Sequence, residues 1–208
     1  MSEMSKLGLV LGTALVLAVS VWAQDESKTD NKGDDPMAAA MAELMKYATP
    51  GEHHKNIASL EGRWKMNSKF RMAPEAPWDE STGDSSIEWV LGGRFLQQKV
   101  KSPPSESMPV PFEGLGLLGY DNLGGKYINL WMDNFMTGVM IFTGSCDASG
   151  KNITVRGEFA NPLKGGALMK SRWVYHIINN DKFVFEMWEP DDNGNEYMHG
   201  EITYIRVR

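Results

Sequence analysis

Cysteine is almost absent. Cys146 is the only one in 208 residues, which excludes an internal disulfide and a thiolate cluster for zinc. A basic excess is missing too. Lys and Arg number 21 against 27 Asp and Glu, a formal charge of −6, whereas a nucleic-acid binder normally carries a basic face. The chain contains no G-x-S-x-G elbow, no H-E-x-x-H and no Walker loop, so three common catalytic signatures are lacking. Glycine, proline and aromatic residues occur in ordinary amounts (21 Gly, 10 Pro, 10% aromatic). That composition excludes a collagen-like, coiled-coil or wholly disordered chain. The length allows one domain with a full core, or two small ones at most.

One long apolar run is present, from Leu7 to Ala23, after a short start carrying Glu3 and Lys6. It is short for a spanning helix, and Val21 and Ala23 satisfy the small-residue rule for signal peptidase. Residues 1–23 therefore read as a signal peptide cleaved before Gln24, in preference to an uncleaved anchor. No cysteine stands at the cleavage site, which excludes a lipoprotein anchor. The mature protein is expected to be exported, periplasmic or extracellular, with no stable membrane insertion. Residues 24–36 hold five acids and two bases, −3 of the total charge, and no apolar side chain. They read as an acidic, solvated linker, leaving residues 37–208 as the folded domain.

Asp35-Pro36 gives an N-cap followed by proline at the first helical position. Met37, Met41, Leu44 and Met45 then recur at helical spacing, a stripe expected to be the packed underside of a small helix rather than a copper-handling surface. A second short helix is expected to start at Thr49, with Glu52 closing a capping box. From Arg63 the period changes to two. Trp64, Met66, Ser68, Phe70 and Met72 alternate with Arg63, Lys65, Asn67, Lys69 and Arg71, which predicts a half-buried strand with a basic outer face. Nine more strands are predicted at 85–91, 94–101, 114–120, 127–134, 139–146, 152–159, 168–178, 182–188 and 196–207. Turn chemistry separates them, as at Gly92-Gly93, Asn179-Asn180-Asp181 and Asp191-Asp192-Asn193-Gly194. About ten strands with short connections and no helical crossover define an all-β, up-and-down antiparallel sheet. Closing it into a barrel removes its edges, with a sandwich as the alternative.

An ordered set of short motifs runs along this pattern: His54-x-x-Ile57-x-x-Leu60-x-Gly62-x-Trp64, Gly92-Gly93-Arg94-Phe95, Gly119-Tyr120-Asp121, Trp131-x-Asp133, Asn161-Pro162 and Glu201-Ile202-x-Tyr204-x-Arg206. The set resembles a bacterial domain-of-unknown-function family, number 1579, with a lipocalin-like (calycin-type) cast. The resemblance implies a barrel and no particular activity. Gly62-x-Trp64 also resembles the opening of lipocalins, whose first-strand Trp is covered by an Arg near the end of the last strand. Trp64 and Arg206 would fill those roles here, and a guanidinium stacks well on an indole. The other reading makes Tyr204 and Arg206 an interior anchor for a ligand carboxylate.

No catalytic constellation emerges, so the chain reads as noncatalytic. Gly114, Gly116 and Gly119 spell G-x-G-x-x-G, but a strand follows instead of a helix, so they are expected to let a barrel bend. His53 and His54 are adjacent on a helix and diverge too far to share a metal. His176 and His199 lie on predicted strands, where a wall histidine could ligate haem iron. Asp121 and Asp133 could form a carboxylate pair for acid–base work or a cation site. Asp121 is explained by turn hydrogen bonding beside Asn122, however, and Asp133 lies near a strand end, so neither is read as a site. No metal site and no resident cofactor are predicted, with haem kept as the alternative. Aromatic residues spread over most strands, and Trp64, Ser68, Phe70, Trp89, Trp131, Tyr204 and Arg206 are the candidate lining for a small hydrophobic or amphipathic ligand. The rival readings are a haem or small-molecule enzyme on the same barrel, and a filled barrel acting through surface protein contacts. Export has a direct check. The protein purified from the periplasm should begin at Gln24 by mass spectrometry, and an intact Met1 start would contradict cleavage.

Overall fold

The computed structural model describes residues 35–105 and 109–208. The signal-peptide segment and all of the acidic linker but Asp35 and Pro36 lie outside the described residues. Two helices come first, α1 (Pro36–Ala48) and α2 (Glu52–Ile57), then a 3-10 turn over Ala58–Leu60. Ten strands follow: β1 (Gly62–Phe70), β2 (Asp79–Val90), β3 (Phe95–Ser102), β4 (Phe112–Asp121), β5 (Lys126–Asp133), β6 (Met140–Cys146), β7 (Asn152–Asn161), β8 (Ala167–Asn179), β9 (Lys182–Pro190) and β10 (Glu196–Arg206). Each strand pairs antiparallel with its neighbours in sequence, and β1 pairs with β10 to close the barrel. The up-and-down closed barrel is thus the fold. Among the described residues, no helix is long and apolar enough to cross a membrane.

The first helix starts as its sequence dictates, with Asp35 Oδ1 accepting the Met37 N–H at 2.9 Å. Its apolar stripe is a correction. Met41, Leu44 and Met45 are 47%, 56% and 48% exposed, so they do not form a packed underside. The start of α2 also differs from expectation. Thr49 Oγ1 donates back to Met45 O at 2.6 Å, and the Gly51 N–H is instead taken by His54 Nδ1 at 3.1 Å. That bond needs an unprotonated nitrogen. Burial, helped by the nearby positive charge of His53 and Arg94, lowers the His54 pKa below its ordinary value.

On β1 the two faces behave differently. Trp64, Met66 and Ser68 are buried inside the barrel, as the alternation predicts. The outer bases do not make a basic field, because neighbouring strands supply acids. Lys65 meets Asp84 at 2.5 Å and Lys69 meets Glu201 at 2.8 Å. Further along the wall Lys99 faces Glu88 at 3.5 Å and Lys101 faces Glu113 at 3.1 Å. Exposed pairs of this kind contribute about 0–1 kcal/mol each.

One end of the barrel is plugged. Ile57 and Leu60, from α2 and the 3-10 turn, belong to the same buried cluster as Trp64, Tyr127 and Phe183. Trp64 is 1% exposed, donates Nε1–H to Leu60 O at 2.9 Å, and meets the Phe183 ring edge-on at 4.8 Å. Arg206 lies directly opposite Trp64 in the closing strand pair. Its guanidinium sits 4.2 Å from the indole centre and donates to Ser59 O and Glu61 O at 2.7 Å each, and to Asn180 O. Gly62 has φ 138°, and a Cβ there would collide with that guanidinium. These contacts are those of the covering role. Arg206→Ala should therefore lower stability by roughly 2–4 kcal/mol. Arg206→Lys should recover little, since one ammonium cannot span three carbonyls. Urea unfolding tests this, and a shift below about 0.5 kcal/mol would contradict the role.

Candidate functional site

Strand parity and register divide the interior into two halves. Toward the plugged end, Trp64, Tyr127, Phe142, Ile153, Val155, Phe183 and Tyr204 fill the barrel. Phe142 stacks on Trp173 at 3.7 Å and Phe183 on Tyr204 at 4.0 Å. At this end, Trp64, Tyr204 and Arg206, three of the candidate ligand residues, are committed to packing and closure. Ser68 is buried further along β1.

A polar network crosses the middle. Gln98 Nε2 donates to Ser85 Oγ at 3.1 Å and to Tyr204 OH at 3.2 Å, and Asn129 Nδ2 donates to Tyr175 OH. Burial pushes the phenols of Tyr175 and Tyr204 well above their ordinary pKa, so both stay neutral. Asn129 Oδ1 has no partner. Beside it is a cavity of about 20 Å³, lined by Leu60, Ile87, Leu96, Gln98, Leu118, Asn129, Trp131 and Tyr175 among others. That is room for a single water. Among the described residues, this cavity is far smaller than the several hundred Å³ of a wide ligand barrel.

Toward the other end the inward positions loosen. Phe70, Phe112, Trp131, Met140, Phe159 and Met187 are only half-buried and pack against the core from the mouth side. Trp131 donates Nε1–H to Asp133 Oδ2 at 2.9 Å and lies nearly parallel to Phe112 at 6.3 Å. The glycines of the G-x-G-x-x-G run lie on β4 of the barrel, where they make room for large rings. A Cβ on Gly114 would strike the Trp131 ring, one on Gly116 would sit 3.1 Å from it, and one on Gly119 would strike Phe95 on the outer wall. Trp89 packs against the core at the plugged end of β2.

The two strand histidines part company. His176 lies on the outer wall, its Nδ1 2.8 Å from Asn152 Oδ1 and its Nε2 3.3 Å from Glu186 Oε2. It has no access to the interior, so the haem alternative does not extend to it. His199 is the extra residue of a β-bulge between Met198 and Gly200. Its ring is 6.0 Å from Phe70 and 6.4 Å from Tyr197, at the mouth. His199 Nδ1 is buried and unbonded, 3.8 Å from Glu189 Oε2, a separation too long for a hydrogen bond. His53 stacks on Tyr120 at 3.9 Å, and Tyr127 donates its hydroxyl to His53 O at 3.1 Å. Burial pushes the Tyr127 hydroxyl up to about 12. Asp121 and Asp133 accept the backbone N–H of Leu123 and Phe135, each at 3.0 Å. Among the described residues no group of three His, Cys, Asp or Glu is placed to hold a metal.

Glu189, Asn129 and Gln98 went unnoticed in the sequence. Glu189 has the parity of Phe183, Phe185 and Met187, and that was the available signal. A β-barrel plugged at one end and apolar at its opposite mouth is the class this geometry defines. The chain belongs to the family described as Protein of unknown function (DUF1579), matched over residues 49–206. It is similar in fold to the crystal structure of Rv2717c from M. tuberculosis, at 14% identity and TM-score 0.55, covering 77% of this chain and 100% of that one. A redesigned beta barrel aligns at 14% identity and TM-score 0.40, covering 74% and 96%. No curated protein matches the sequence.

Burial raises the Glu189 pKa above its ordinary 4.5, with His199 and then Lys164 opposing the shift. A raised carboxyl pKa means the folded state holds the proton more tightly than the unfolded chain. Stability should therefore fall as pH rises from 4.5 through the raised value, then level off. Glu189→Gln should flatten that segment of a urea-midpoint profile. An identical slope in the variant would contradict the assignment.

Proposed function

We propose that the protein is an exported, noncatalytic barrel that binds a small apolar or amphipathic molecule at its open mouth. The observation that carries this reading is the set of inward, half-buried rings and thioethers at that end, Phe70, Phe112, Trp131, Met140, Phe159 and Met187. The plugged end has no room to offer, and half-buried apolar surface gathered inside a concave mouth is where a ligand gains most from leaving water. Phe70 and Trp131 thus stay in the ligand set. Ser68 lies one inward step below Phe70, while Trp64, Trp89, Tyr204 and Arg206 belong to the plugged end and leave the ligand set.

Haem is a second reading, favoured by His199. An axial imidazole normally turns its other ring nitrogen toward a carboxylate or carbonyl. His199 Nδ1 faces Glu189, and the ring's remaining 23% exposure falls on its other atoms. The donor set fits one axial ligand. His199 would hold the iron while Phe70 and Tyr197 flank the group, and haem would supply redox and diatomic-ligand chemistry to an otherwise inert site.

Titration with 1-anilinonaphthalene-8-sulfonate tests the mouth. Saturable fluorescence enhancement is expected, weakened at least tenfold by Phe159→Glu with unfolding unchanged. Enhancement untouched by Phe159→Glu but lost with Met41→Lys would overturn mouth binding in favour of a surface-acting barrel. Added haemin should give a Soret band that His199→Ala abolishes if the second reading holds. A band that survives the substitution, or none at all, would remove His199 from it.

A further inference from the structure

We infer that the molecule bound by this barrel carries an uncharged hydroxyl head, received inside the barrel by Asn129, and that Trp131 is the side chain that moves to admit the tail. The inference rests on the small-molecule reading above and specifies its ligand class.

Asn129 is 3% exposed and faces inward from β5. One half of its amide is satisfied by Tyr175, and the other, Oδ1, is buried without a donor. Leaving such an acceptor unmatched costs about 1–3 kcal/mol, so a donor brought by a ligand is strongly favoured there. The adjoining space of about 20 Å³ accepts one water-sized group. A hydroxyl fits it.

Charge is excluded by the surroundings. The cavity wall includes Leu60, Ile87, Leu96 and Leu118 and contains no Lys, Arg, Asp or Glu. The polar groups nearby are already engaged or neutral, since Gln98 Nε2 serves Ser85 and Tyr204. A carboxylate would lose its water and find no cation. Arg206, the interior cation a carboxylate reading would need, is spent on Trp64 and three backbone carbonyls at the plugged end. An ether oxygen would face Asn129 Oδ1 as a second acceptor and leave it unpaired.

The tail needs a path. Trp131 is the next inward residue after Asn129 on β5, one step nearer the mouth, and it lines the same cavity. Its ring rests over Gly114 and Gly116, and the one β4 side chain stacked on it is Phe112, at 6.3 Å on the mouth side. Its polar tether is the hydrogen bond to Asp133 at the strand end. Moving the ring together with half-buried Phe112 breaks no strand pairing and joins the cavity to the apolar surface of the mouth.

The probes are 1-octanol, octanoate and octyl methyl ether, titrated into the purified protein while the NMR signals of the Asn129 side-chain amide, the Trp131 indole and the Phe112 and Phe159 rings are followed. Octanol should shift the Asn129 and Trp131 signals saturably and bind at least tenfold more tightly than the other two. Asn129→Leu should erase that preference, and the selectivity of the unaltered protein is informative even if this variant does not fold. Octanoate or the ether binding as tightly as octanol would overturn the hydroxyl assignment. Octanol shifting Phe112 and Phe159 but not Asn129 would overturn it while leaving the mouth reading intact. Failure of all three probes to shift either region would overturn both.

Discussion

The pairing of β1 with β10 is the constraint on which the rest of this structure depends. Nine of the ten strand pairings join neighbours in sequence, so chain connectivity itself brings those strands together. The tenth joins the two ends of the domain, with no connecting turn, and must be held by side chains. Arg206 does this from the last strand. It covers Trp64 and ties the β8–β9 turn, through Asn180, to the 3-10 turn beneath the barrel. Because Trp64 in turn holds Leu60 and packs on Phe183, the closure also fixes the plug.

That arrangement makes the two ends of the barrel unequal. Large rings and the helical plug consume the space at the closing end, where the core is closely packed. Space and exposed apolar surface are left at the opposite mouth, with Glu189 and His199 as partly buried polar groups there. Between them, the Ser85–Gln98–Tyr204 and Asn129–Tyr175 groups form a polar layer that is satisfied but for one atom. A buried network left incomplete at a single acceptor costs stability, so its incompleteness is the feature of the interior most in need of a ligand or a water.

Much of this was legible in the sequence because the physics is local. Period-two alternation and Gly- or Asn-rich turns located all ten strands, and the resemblance of the Gly62-x-Trp64 and Tyr204-x-Arg206 motifs pointed to how the first and last would meet. The start of β2 was missed by six residues. Asp79 to Asp84 reads as a loop, yet it pairs along the whole of β1, with Lys65 facing Asp84 across the pair. The exposed α1 stripe was misread for the converse reason, since amphipathic spacing says which face is apolar and nothing about whether anything covers it. His199 could be ranked no higher than His176 before the bulge was seen, because one extra residue reverses which way a strand side chain points. Asn129 was invisible for a different reason: both faces of β5 carry bulky residues, so alternation did not mark the inward one.

A barrel inert at its plugged end and receptive at its mouth is most directly tested by fluorine NMR of protein carrying 5-fluorotryptophan, recorded with and without saturating 1-octanol. The Trp131 resonance is expected to move while those of Trp64 and Trp173 stay in place. A shift of Trp64, or spectra in which Trp131 is unmoved, would contradict that division of the interior.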